Sequence, residues 1–266
     1  MEQKTNSRIF LGVRHHSKKM KLSPHFIVYL IGIFYICGLG VLNMELQKEV
    51  NTLNESPKLL GMFTSPGLQF ERIKQSPKIW VPLIIISFLY VIGMSFMALS
   101  LDADTLIEQG VPKDQIDLVL TITKVTVMVT GIITPIFGVL ISSAIQLAIA
   151  RIASSTVSFK QLFSMNTYIM IIGAAGLILN MAISFAIGGN PEIYITSLAG
   201  LLNQEKAGVL GSIEVFGIWS VVLTALGLNK TAQFSKGLAW TIAIIFFLIS
   251  IGFGLIGTLL QGAPKL

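Results

Sequence analysis

Three histidines, one cysteine and thirteen carboxylates are the side chains with which this 266-residue chain could do catalysis or bind a metal. His15 and His16 adjoin, His25 stands apart, and Cys37 is alone. A structural zinc site takes four ligands, and none of these residues has further ligands at useful spacing. A lone cysteine allows no intramolecular disulfide. No nucleophile elbow, phosphate loop or zinc-protease motif occurs. The expectation is therefore no catalytic residue, no metal and no cofactor, and a protein that is not an enzyme. Glu214 is the exception worth weighing, being the only acidic residue within the last three hydrophobic stretches. An ionisable group in a span is a functional candidate. A carboxylate at a helix N-terminus is equally a structural cap, favoured by the helix dipole. Gln146 and Asn180 lie mid-span, where an interhelical hydrogen bond accounts for each.

The elements that must position these groups are set by composition. Hydrophobic residues make up 53% and charged residues 12%, about half the charge content of a soluble domain. Lipid is then the expected solvent. A hydrocarbon core about 30 Å thick takes roughly 20 apolar helical residues to cross. Five stretches qualify: Ile79–Leu101, Val125–Ala150, Met165–Ile187, Gly208–Leu228 and Leu238–Leu260. The expected fold is all-α, a polytopic membrane helical bundle of five core spans with one extra N-terminal hydrophobic helix, Phe26–Val41. Pro135 falls inside the second stretch. That stretch could begin near Asp114 and so be too long for the bilayer.

Loop charges give an orientation. Segment 45–78 carries Lys48, Lys58, Arg72, Lys74 and Lys78, and later basic loops hold Arg151 with Lys160 and Lys230 with Lys236. The loops between are acidic to neutral. Lys and Arg stay on the cytoplasmic side, which puts the basic loops inside and the C-terminus out, in the cell (cytoplasmic) membrane. Residues 1–43 conflict with this pattern. Six of the 19 Lys and Arg lie in the first 21 residues and read as a membrane-flanking tail, not a nucleic-acid surface. If Phe26–Val41 crosses, every later loop inverts. An interfacial hairpin, a sixth span, a secretory signal without a convincing cleavage site, or a native start at Met44 remain open. The chain thus divides into 1–43, a cytoplasmic interfacial amphipathic segment 44–78, and a membrane domain 79–260.

Three stretches carry a more specific signal. The first is Phe70-Glu71-Arg72-Ile73-Lys74-Gln75-Ser76-Pro77-Lys78-Ile79-Trp80, amphipathic and ending at an aromatic anchor. The second is Ser158-Phe159-Lys160-Gln161-Leu162-Phe163-Ser164. The third runs from Glu214-Val215-Phe216-Gly217-Ile218-Trp219 to Gly227-Leu228. In this order and spacing they resemble bacterial members of the Yip-one (Ypt/Rab-interacting protein) domain family, over about residues 59–260. Glu214 stands where such proteins commonly have Asp, and the Asp-Leu-Tyr-Gly-Pro motif of eukaryotic members is missing, which argues against a GTPase partner.

The resemblance implies a five-helix membrane adaptor or scaffold with its N-terminus cytosolic, binding membrane lipid and other integral membrane proteins, an ABC exporter among them. Homo-oligomerisation is left open by the glycines between Gly252 and Gly257. Candidate partner contacts are Phe70, Arg72, Trp80, Glu214, Phe216 and Trp219. Candidate cytoplasmic anchors are Arg151, Lys160 and Phe163. The rival reading is a transporter or permease subunit moving a small solute or lipid, which would need polar groups converging near the bilayer midplane.

Overall fold

The computed structural model describes residues 55–262 apart from 109 and 205; Phe26–Val41 and the rest of residues 1–54 lie outside the described part. Six helices of eight residues or more form it: α1 (Pro66–Gln75), α2 (Trp80–Ser100), α3 (Ile116–Ile152), α4 (Phe159–Ile187), α5 (Val215–Lys230) and α6 (Lys236–Gly262). Single helical turns at Gly61–Thr64, Ala103–Glu108, Leu198–Leu201 and Gly208–Ser212 fill the connections. Among the described residues the only β pairing is one antiparallel bridge, Ser197 with Glu214.

Four of these helices, α2, α3, α4 and α6, are long and apolar enough to cross a membrane. The fifth expected span differs. Instead of one helix over Gly208–Leu228, the chain makes the Gly208–Ser212 turn, extends through Ile213 and Glu214, and only then enters α5. At 1.5 Å per residue, the 16 residues of α5 rise about 24 Å, short of the hydrocarbon thickness. The break has a local cause, described below at Glu214. By contrast α3 is longer than its apolar core, with 37 residues running unbroken through Pro135, or about 55 Å.

Helix α4 is the centre of the bundle. Half of its apolar window is buried, against about a fifth for the other spans. It packs on α2, α3, α5 and α1. Its own mid-face residues Met165, Ile172, Leu177 and Met181 are buried. Close approach of α3 to α2 rests on Gly131, where a Cβ would lie 3.2 Å from the Tyr90 carbonyl oxygen. The polar groups between these helices find one another. Asn166 of α4 donates to Ser143 Oγ (2.9 Å) and to Gln146 Oε1 (2.8 Å) of α3, an interhelical pair at the site where Gln146 was expected to make one.

The segment before α2 is a docked part of the fold. Met62, Phe70 and Ile73 have no exposed surface and belong to the main core cluster with Leu162, Met165, Leu223 and Leu228. Phe70 and Ile73 share one face of α1 with Gln69 at helical spacing, and that face is laid against α4 and α5. Four of the segment's backbone carbonyls accept side-chain hydrogen bonds from the bundle: Pro57 from Tyr168 (2.9 Å), Phe70 from Thr231 (3.1 Å), Lys74 from Gln161 (2.6 Å) and Lys78 from Ser164 (2.7 Å). One ion pair adds to the docking, Glu71 with Lys230 (2.7 Å), and another, Arg72 with Glu55 (3.0 Å), closes the segment on itself. The expected interfacial, partner-facing placement of Phe70 and Arg72 is corrected accordingly. Phe70 is wholly buried and the Arg72 side chain is 4% exposed, because its guanidinium reaches back to Glu55.

Gly227 lies where α5 crosses this docked segment, and a Cβ there would fall 2.8 Å from Met165 Sδ and 2.9 Å from the Phe70 ring. Gly227→Leu is expected to destabilise the protein by about 1–3 kcal/mol through overpacking, read as a lowered thermal midpoint in detergent. Glu55 supplies a pH-dependent counterpart. Its hydrogen bond and charge attraction to Lys58, followed by the Arg72 charge, hold its carboxyl below the usual Glu value. A carboxyl lowered in the folded state stabilises it above the unfolded pKa, and that contribution is lost as pH falls through the folded one. The thermal midpoint of Glu55→Gln should therefore lie below that of the unsubstituted chain at neutral pH. The gap should close as pH drops below about 4.

Candidate functional site

The two ends of the bundle differ in charge and in construction. At one end lie the start of α2, the end of α3, the start of α4, the end of α5 and the start of α6, tied together by Ser155 Oγ donating to the Ala232 carbonyl (2.7 Å). Lys58, Lys74, Lys78, Arg151, Lys160, Lys230 and Lys236 gather here, facing the carboxylates Glu55 and Glu71. The second motif builds this end. Ser158 caps α4 in a reciprocal capping box with Gln161, and the same Gln161 side chain then donates to Lys74. A capping box satisfies two orphan N–H groups of the helix start, and here its glutamine also holds α1 in place. Of the three expected anchors at this end, Arg151 and Lys160 are exposed. Phe163 is not: it is 7% exposed, because it lies one turn further into the bundle than Phe159 and packs between Leu83 of α2 and Val139 of α3.

The opposite end is organised by Glu214. Its carboxylate accepts from the Gly217 amide (Oε2, 2.7 Å), which makes it the N-cap of α5. Its other oxygen accepts from Thr196 Oγ1 at 2.6 Å, short as charge-assisted bonds are. Thr196 in turn accepts from Asn180 Nδ2 (2.8 Å), donates its amide to Asn180 Oδ1 (3.0 Å), and accepts the Val215 amide at its carbonyl (3.3 Å). Asn180 also donates to the Gly176 carbonyl of its own helix. The loop from 188 to 213 is thereby folded back and fastened between α4 and α5. This fastening is why the fifth span begins late: residues 213–214 pair with the loop instead of continuing a helix. Asn180 thus bonds to a returning loop, and Thr196, which sequence reasoning missed, is the hub. No periodic pattern marks a loop threonine, so nothing in the sequence identified it.

A cavity of about 310 Å³ lies beside this hub, between α2, α3, α4 and α5. Glu214, Tyr90, Thr134, Tyr194 and Ser220 give it a polar lining, with Gly173, Gly176 and Gly217 leaving the room. Burial pushes the Tyr194 phenol up, and the neighbouring Glu214 charge adds to that.

The remaining expected contacts divide between inside and outside. The Phe216 ring lies on Gly176, where a Cβ would fall 2.8 Å from it. Trp219 meets Phe63 edge-on at 5.6 Å. Both are partly buried and pack onto the main core cluster, so α5 uses this face on its own bundle, which is the packing role that two aromatics three apart on one helix face favour over a partner contact. Trp80 is the exposed one, at 76%.

A surface that sequence reasoning passed over lies on α3. Thr126, Thr130, Thr134 and Gly138 recur every fourth residue, and all four are exposed. The Thr126 and Thr130 hydroxyls bond back to Ile122 and Thr126 carbonyls at 2.8 Å, and a Cβ on Gly138 would meet nothing within 4 Å among the described residues. Spacing of four puts such residues on one helix face, a signal legible in the sequence.

These features define a polytopic helical membrane protein whose three motif stretches are mutually packed. The Yip1 domain matches residues 60–258, and the chain belongs to that family. It is similar to membrane protein YknW of Bacillus subtilis (strain 168), 34% identical over 223 residues, which span 82% of this chain and 96% of that protein. No solved structure matches the chain significantly.

Thr196→Val should leave Asn180 and Glu214 each short of a partner, at a cost of about 1–3 kcal/mol. Glu214→Ala removes the cap as well, while Glu214→Gln retains an acceptor and should cost less than the alanine variant. Thermal unfolding in detergent checks the order; equal loss for Gln and Ala at Glu214 would contradict the cap.

Proposed function

We propose that the chain is a non-enzymatic adaptor of the cytoplasmic membrane, which holds neighbouring integral membrane proteins against its bundle. Its basic end faces the cytosol, as the retention of Lys and Arg on that side requires. The observation that carries the reading is the small-residue face of α3. In lipid, helix association depends on close packing, and residues four apart with little side chain let backbones approach. On the Thr126–Gly138 face the Thr126 and Thr130 hydroxyls are satisfied within the helix, and among the described residues no neighbour lies within reach of a Cβ on Gly138. An export assembly, with an ABC exporter foremost, is the partner that the resemblance of the three motifs implies.

A permease subunit is the second reading, favoured by the polar cavity at Glu214. The two separate cleanly. Gly138→Leu with Thr130→Leu fills the α3 face without touching the core. It is expected to reduce recovery of the exporter with the chain in mild detergent by about tenfold, the effect of losing roughly 1.4 kcal/mol, while the thermal midpoint stays put. Ser220→Leu fills the cavity and should leave recovery unchanged. Recovery that is indifferent to the α3 substitutions, with solute movement abolished by Ser220→Leu, would replace the adaptor by the permease.

A further inference from the structure

At the basic end a groove of about 920 Å³ opens between the segment 56–60, the first half of α2 and the first half of α4. Lys58, Lys78 and Lys160 stand around it, and its walls are mostly apolar. Each wall is fixed. Tyr168 Oη donates to the Pro57 carbonyl and holds the segment 56–60, while Ser164 Oγ donates to the Lys78 carbonyl and holds the entry to α2.

The depth of the groove is informative. Along α2 it runs from Trp80 to Leu89, and along α4 from Lys160 to Ile171. Nine and eleven residues of helix rise about 14 Å and about 16 Å. Both walls therefore descend half of a hydrocarbon core about 30 Å thick, the depth of one leaflet. Trp80, 76% exposed, sits at the level where indole rings meet headgroups.

We infer that this groove is a binding site for an anionic phospholipid of the leaflet at the basic end, with its headgroup among Lys58, Lys78 and Lys160 and an acyl chain along α2 and α4. The charge fits. Lys58 shares Glu55 with Arg72 (both 3.0 Å), whereas Lys78 and Lys160 form no ion pair among the described residues, so the mouth is net positive. A free phosphate would use the lysines and leave the apolar walls wet. A zwitterionic lipid would use the walls and bring an ammonium of its own to the lysines. An anionic phospholipid satisfies both.

The test uses the full chain in lipid nanodiscs, with Trp219→Phe and Trp240→Phe leaving Trp80 as the single tryptophan of the three. Phosphatidylglycerol or phosphatidylcholine with brominated acyl chains is mixed at equal low mole fraction into unlabelled phosphatidylcholine, and quenching of Trp80 is read. Brominated phosphatidylglycerol should quench the more strongly. Lys78→Gln and Lys160→Gln should each lower that preference by about fivefold, the weight of one lysine at an anionic surface. Lys236→Gln, on α6, should leave it unchanged. Equal quenching by the two lipids in the lysine-intact chain overturns the inference, as does a preference that survives both substitutions or falls equally with Lys236→Gln. Weak quenching by both lipids overturns it too, since the groove is then closed by another segment of protein.

Discussion

Four carbonyl oxygens, those of Pro57, Phe70, Lys74 and Lys78, hold this structure together as a unit. They belong to a segment that turns, forms the short helix α1, and turns again before entering the membrane. Such a path leaves the Pro57, Lys74 and Lys78 carbonyls without helical partners, and beside a bilayer an unsatisfied one costs several kcal/mol; the Phe70 carbonyl, inside α1, takes the Thr231 bond in addition. Tyr168, Gln161 and Ser164 from α4 and Thr231 beyond α5 donate to them. Once these bonds form, Phe70 and Ile73 are carried into the core, Arg72 is placed against Glu55, and the start of α2 is set beside the start of α4. The lysine-rimmed groove exists because that segment is pinned and cannot lie loose on the lipid surface.

Seen this way, the three motif stretches are parts of one arrangement. The glutamine and second serine of the Ser158–Ser164 stretch are donors to the stretch that ends at Trp80. The Glu214 stretch supplies Trp219 against Phe63 and leads to Gly227, whose missing side chain gives Phe70 its space. The same α5 therefore serves both ends of the bundle: it receives the docked segment along its length, at Trp219 and at Gly227, and its N-terminal cap ties down the loop that carries Thr196. A polar network at that end, rather than length, sets where α5 begins.

Much of the architecture was legible beforehand. Four of the five expected spans are long apolar helices. Helices α2 and α6 keep within two residues of their anticipated limits, and α4 starts six residues earlier at Phe159. Helix α3 starts nine residues earlier at Ile116, close to the start near Asp114 that the sequence allowed. Glu214 was legible as a cap, because an acidic residue just ahead of an apolar run matches an orphaned helix start. Phe70 and Arg72 were misjudged for one shared reason. An amphipathic stretch beside a membrane presents the same alternation whether its apolar face meets lipid, a partner or its own bundle.

Apolar runs of bilayer length, cationic loops at alternate connections and the positions of breakers are properties of the chain read in order, and they determined that this is a multi-pass helical membrane protein; the three motif stretches carried the resemblance to the Yip1 family. Which side of α1 would be covered, where the fifth helix would start, and that Lys58, Lys78 and Lys160 would stand around one groove depended on contacts between residues distant in sequence. Thr196 and Glu214 are 18 residues apart, and Tyr168 and Pro57 are 111 apart. Local periodicity carries no record of such pairings, because a hydrogen bond closes only when tertiary packing has brought donor and acceptor within about 3 Å.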